Sequence, residues 1–247
     1  MASRYDSRQI QLRVAPFTPA VRALVITNVA IHRVQFLAGP EATFKIQDLF
    51  ALDPVRVLRQ FWLWQPVTYM FLHHTGDIWH LVFNMLTLWM FGGDLEARWG
   101  AARFVRYYFV CGVGAGLLTC LANIMRSEPS ATIGASGAIF GLLIAYAMTF
   151  PHRITYFMGL FPMTARVMVG LFALLQLYFI GAFSRSGVAY FAHIGGMLVG
   201  WLTLTGWWDP RRWIAEGRFK LRRRRFRALD DDRGKDRGED REPYRYH

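Results

Sequence analysis

Gly134-Ala135-Ser136-Gly137 sets a serine among glycines, at the point where a polar loop turns into a long apolar helix. A serine hydroxyl is a weak nucleophile until a base takes its proton. Histidine titrates near neutrality and can be that base. The candidate is His193, in Ala192-His193-Ile194-Gly195-Gly196. His80 and Asn84 are four residues apart and share one face of a helix. Neither has an evident role as a second base. Both suit donation of hydrogen bonds to the oxyanion formed when Ser136 attacks a carbonyl, and the backbone N–H of Ser136, in a first helical turn, adds a donor. Singly these signals are modest: a small-residue motif also packs helices, and a bundle-facing histidine often only bonds a carbonyl. The conjunction points to acyl transfer by an activated serine.

The elements that must position these residues follow from composition. Apolar residues make up 53% of the 247 and charged residues 19%, against roughly 25% charged in a soluble domain. This predicts an all-α polytopic membrane protein. With about 20 apolar residues needed per crossing, six spans are expected: 17–37, 78–93, 104–125, 134–150, 165–181 and 188–207. The first is the weakest, because Arg22, His32 and Arg33 interrupt it and its charged ends must snorkel. The connection 38–77 is too polar to span, but Phe61, Trp62, Trp64, Tyr69 and Phe71 suit burial at the headgroup level. The stretch 154–162, broken by Gly159 and Pro162, reads as interfacial, and Ser184-Arg185-Ser186-Gly187 as a tight turn. Three regions result: a segment 1–16, a six-helix domain 17–208 and a charged tail 209–247.

The net charge of +12 is concentrated, with about half of the Lys and Arg after Asp209, including Arg222-Arg223-Arg224-Arg225. Beside a membrane domain such a run fits anionic lipid, at about 1 kcal/mol per basic residue near the surface, and no nucleic-acid partner is expected. Cys111 and Cys120 fall on one helix, too far apart to pair. The N-terminal region shows no cleavable signal peptide. Basic residues at the N-terminus, at 98–106, at 151–166 and in the tail all fall on one side of a six-span chain, so both termini are expected in the cytoplasm, in a bacterial inner membrane.

Spans two, four and six then all start at the outer face and run inward. His80, Asn84, Ser136 and His193 each lie within about two turns of that start, roughly 10 Å or less deep. Gly137 and Gly141 form one small-xxx-small pattern and Gly196 and Gly200 another, which lets two helix backbones approach closely. If those faces meet, Ser136 and His193 come within hydrogen-bond reach.

These residues resemble the rhomboid family of intramembrane serine proteases over about residues 60–207. Phe71-Leu72-His73 with His80 and Asn84 resembles its FLH…HxxxN segment, and Leu95-Glu96 with Gly100 its LExxxG turn. Gly134-Ala135-Ser136-Gly137 resembles its GxSG motif, and 192–200 its AHxGGxxxG helix. The resemblance implies a six-helix bundle, a Ser136–His193 dyad without a third carboxylate, and an oxyanion hole of His80, Asn84 and the Ser136 N–H. It also implies transmembrane segments as substrates, cut near their outer ends, with the fifth helix and the cap over the site governing entry. No metal or cofactor is expected. Two positions depart from the family pattern. Trp64-Gln65 stands where Trp-Arg is common, which leaves Glu96 without an obvious partner. Phe140 stands where some members stack a tyrosine on the histidine. A silent binding module of the family would lack the serine or the histidine, and a transporter would show internal repeats. A zinc site at His73, His74 and His80 would be expected to come with a fuller ligand set.

Overall fold

The computed structural model describes residues 15–127, 130–157, 161–182 and 188–206. The chain divides into two units, 1–204 and 205–247. Of the second, only residues 205 and 206 are described, so the basic tail, like the turn at 184–187, lies outside the described residues.

Helix α1, Pro19–Phe50, is longer than the expected first span. Its buried face is the stripe Val21, Leu24, Asn28, His32 and Gln35, at helical spacing. His32 therefore faces inward instead of snorkelling. The helix kinks at Gly39, whose φ of 80° only glycine adopts readily, and restarts at Pro40, a residue suited to a first helical turn. Across the kink the Thr43 hydroxyl donates to the Gln35 carbonyl at 2.5 Å. The connection expected at 38–77 is thus largely helical. It holds the end of α1, then α2 (Pro54–Arg59), α3 (Gln65–Thr68) and a 3₁₀ turn over Tyr69–Phe71.

Helix α4, Ile78–Thr87, continues through a π-helical turn, Leu88–Gly92, into α5, Gly93–Trp99. Leu95 and Glu96, expected in a turn, are therefore helical. The break comes at Gly100, with φ of 81°, and α6 follows over Ala101–Met125. Helix α7, Ser136–Thr149, is buried on nearly every side, as befits a central helix. Its closest packing is with α6 and with α9, Val188–Thr205.

The stretch read as interfacial is a β-hairpin. Strand β1, Ile154–Phe157, pairs antiparallel with β2, Phe161–Thr164, from Ile154 opposite Thr164 to Phe157 opposite Phe161. Thr155 and Tyr156 favour strand, and a two-stranded ribbon has free edges where Pro162 needs no donor. The fold is thus mainly but not wholly helical. Helix α8, Ala165–Ala182, leaves this hairpin and turns Ala165, Met168 and Val169 inward, while Leu174, Leu177 and Tyr178 are exposed. Helices α1 and α6 are each long and apolar enough to cross a membrane, and α7 and most of α8 form shorter apolar helices.

Candidate active site

Ser136 opens α7, where backbone N–H groups have no partner within the helix. The loop before it is fixed from a distant part of the chain. Leu52 and Thr132 exchange two backbone hydrogen bonds, of 2.9 and 3.0 Å, and Gly134 N–H donates to the Tyr69 carbonyl at 2.9 Å. Gly134 has φ of 118°, and a Cβ there would sit 3.0 Å from the His80 ring and 4.0 Å from Ser136 Oγ. This position therefore needs glycine twice, for its backbone angle and for room beside His80.

His193 comes from the first half of α9. Its Nε2 lies 2.8 Å from Ser136 Oγ. The approach is set by the two glycine pairs, which do face each other. A Cβ on Gly196 would collide with the Gly137 carbonyl oxygen, and one on Gly200 would reach 3.1 Å from Gly141. On its other side Gly137 meets Ala115 of α6, where an added Cβ would come within 2.8 Å. Phe140 lies one turn along α7 from Ser136 and stacks on the imidazole, with ring centroids 4.1 Å apart and planes at 18°. Tyr190 meets the same ring edge-on at 6.3 Å. Serine and histidine are both only partly buried.

His80 and Asn84 both lie on α4, one turn apart. Asn84 Nδ2 donates to the His80 carbonyl at 2.7 Å. An amide has two N–H groups, so one remains for a substrate oxygen. His73 and His74 flank the His80 ring, at centroid distances of 5.1 and 5.9 Å. His73 is fully buried, and burial pushes its imidazole down to about 3, with His80 adding to the effect. A neutral ring is therefore what this wall of the site presents near neutral pH. His32 Nε2 reaches the His74 carbonyl at 3.3 Å.

The departure at 64–65, and the Glu96 it leaves without an obvious partner, both find specific partners. Gln65 accepts from Asp53 N–H at 3.0 Å and donates to the Leu49 carbonyl at 3.3 Å, and Trp64 Nε1 donates to that carbonyl at 2.9 Å. An arginine does anchor this region, but it is Arg56, which bonds Asp48 at 2.5 Å and lies over the Trp62 ring at 4.6 Å. The hydrogen bond from Arg56 holds the Asp48 carboxyl below the usual range. Glu96 accepts from Thr18 Oγ1, from Ala20 N–H at 2.9 Å and from Val21 N–H at 2.8 Å. It caps the N-terminus of α1 from α5.

The family model for the Rhomboid domain matches residues 60–209. The chain belongs to the rhomboid family. This rhomboid is 35% identical over 158 residues to Rhomboid protein 1, mitochondrial, of Saccharomyces cerevisiae, covering 62% of this chain and 42% of that protein. It is 32% identical over 171 residues to RHOMBOID-like protein 1 of Arabidopsis thaliana, covering 67% and 40%. Against Rhomboid-like protease 5 of Toxoplasma gondii it is 34% identical over 166 residues, covering 63% and 17%. It spans less than half the length of these relatives. Rhomboids are polytopic membrane proteins of an intramembrane protease family, so membership makes this chain a membrane protein.

One residue at the site went unread in the sequence. Gln176 of α8 places Oε1 2.9 Å from His193 Nδ1. Its signal was a lone amide in the apolar run Ala173-Leu174-Leu175-Gln176-Leu177, since polar side chains inside a span usually face the bundle interior.

Proposed function

We propose that this rhomboid is an intramembrane serine endopeptidase that cuts transmembrane segments of other proteins near their outer ends. The observation that carries the reading is the 2.8 Å contact between His193 Nε2 and Ser136 Oγ. A hydroxyl on that geometry loses its proton to the imidazole as it attacks a carbonyl. The second N–H of Asn84, the His80 ring and the Ser136 N–H supply oxyanion donors, and losing one such donor costs about 10²–10³ in rate. Phe140 keeps the imidazole plane fixed while it charges and discharges. Water then hydrolyses the acyl-enzyme through the same base. No metal or cofactor takes part. The printed name of one relative, a rhomboid-like protease, is in keeping with this chemistry.

The arrangement in the membrane is part of the proposal. Six spans, the α1, α4–α5, α6, α7, α8 and α9 runs, form the domain 17–208, with both termini cytoplasmic and the site opening outward, in a bacterial inner membrane. Support comes from the arginines at 98–106 and 151–166 on the inner side. The tail, 209–247, lies on anionic lipid.

The test uses purified protein in liposomes, a panel of single-span substrates and a fluorophosphonate probe. Wild type cleaves and is labelled at Ser136. Ser136→Ala and His193→Ala do neither. Persistent cleavage in either variant refutes the dyad. Binding of substrates by wild type with neither cleavage nor labelling assigns a silent binding module instead.

A further inference from the structure

The base in this site is bonded on both sides. His193 Nε2 faces Ser136, and Nδ1 lies 2.9 Å from Gln176 Oε1. Gln176 is only 8% exposed, whereas Leu174 and Leu177, beside it in the chain, are 65% and 56% exposed. It continues the inward stripe of α8, after Ala165, Met168, Val169 and the half-buried Phe172. Phe172 itself meets Phe140, the ring stacked on His193, at 6.5 Å. The imidazole is thus enclosed by Phe140 on one face, Ser136 at one nitrogen and Gln176 at the other.

A neutral imidazole carries one proton, and which nitrogen holds it is set by the partner of the other. An amide oxygen accepts and cannot donate. With Oε1 at Nδ1, the proton sits on Nδ1 and Nε2 is bare. Only that tautomer can take a proton from Ser136. We infer that Gln176 is a positioning residue that makes Ser136–His193 a Ser–His–Gln triad, by holding the Nδ1–H tautomer of His193 through its side-chain oxygen. This rests on the protease reading above.

The proton ledger closes without Gln176 changing charge. As Ser136 Oγ bonds the substrate carbon, its proton moves to Nε2 and the carbonyl electron pair moves onto oxygen. On collapse the C–N bond breaks and the Nε2 proton leaves with the amine. Water then gives a proton to Nε2 while its oxygen bonds the acyl carbon, and that proton returns to Oγ as the acid departs. The Nδ1 proton stays on the bond to Gln176 throughout. A carboxylate in this role would have to be stripped of water on a helix whose other face is apolar. The amide supplies the acceptor without a buried charge.

The test compares wild type with Gln176→Leu, which keeps the volume and removes the acceptor, and Gln176→Glu, which keeps an acceptor at the same reach. In the Leu variant kcat on a single-span substrate falls about 10- to 100-fold with KM unchanged, the range seen when a hydrogen-bond partner that orients a metal-bound histidine is removed. The Glu variant retains most of kcat but melts at a lower temperature, because its carboxylate is stripped of water. In protein labelled with ¹⁵N-histidine, His193 of wild type gives the signals of a protonated Nδ1 and a bare Nε2, and the Leu variant loses that preference. Thermal melting identifies a variant that has merely lost its fold, and the wild-type tautomer decides the question even then. A wild-type His193 protonated on Nε2, or a folded Leu variant with unchanged kcat, overturns the assignment. Cleavage by Ser136→Ala refutes the protease reading instead, and leaves the tautomer measurement intact.

Discussion

His193 is held from two sides in opposite ways. Towards α7 the grip is backbone on backbone, because Gly196 lies against the Gly137 carbonyl with no room for a methyl group. Towards α8 it is one side-chain hydrogen bond, from a helix whose other face is largely exposed leucine and tyrosine. Backbone contact cannot be relieved by a change of rotamer, and a glutamine arm can. The position of His193 is therefore fixed relative to the serine by backbone contact, while the partner of its Nδ1 comes from a side chain on another helix.

Glycine substitutions break this contrast at its two ends. Gly196→Ala has the largest expected effect. The added methyl forces α9 away from α7, costing about 1–3 kcal/mol or more of stability. A displacement of about 1 Å at Nε2 costs on the order of 10²-fold in rate, so probe labelling of Ser136 and substrate cleavage fall together. Glu96→Gln comes next and tests an attachment far from the base. Removing the charge that caps α1 lowers stability by about 1 kcal/mol, read as a lower melting temperature in detergent, while kcat stays at the wild-type value. Gly170→Ala has the smallest effect. A Cβ there meets nothing within 4 Å, so the substitution raises stability by about 0.5–1 kcal/mol through the cost glycine carries in a helix. Its cleavage rate is unchanged. A Gly170→Ala protein as damaged as Gly196→Ala would erase the distinction between the two sides.

The residues that could be read in the sequence are those whose type already carries a constraint. Ser136 between glycines, and His193 ahead of a glycine pair, give their helices and their mutual approach, because small-residue spacing translates directly into backbone distance. Glu96 was visible without its partner. Its partners are two backbone N–H groups and the Thr18 hydroxyl, some 75 residues earlier; Thr18-Pro19 marks a helix start, but nothing in a one-dimensional pattern links it to Glu96. The continuation of α1 beyond residue 37 was masked by Gly39-Pro40, which reads as a break and is only a kink. The hairpin at 154–164 was hidden by Gly159 and Pro162, residues that suggest irregular chain. Gln176 was overlooked for a different reason. A single amide among leucines looks like a tolerated polar residue until its partner is known.

The nucleophile loop bears on how the molecule comes into being. Its shape is set by Leu52 and Tyr69, and both precede Ser136 in the chain. Synthesis runs from the N-terminus, so the serine meets its scaffold as soon as it emerges. Its base does not arrive until α9, after the hairpin and α8 have been made. On the proposed reading, a ribosome-bound molecule lacking that last helix has a formed nucleophile loop and no His193 to take its proton. Newly made chains would pass through the insertion machinery chemically silent, and proteolysis would switch on only when the membrane domain is complete.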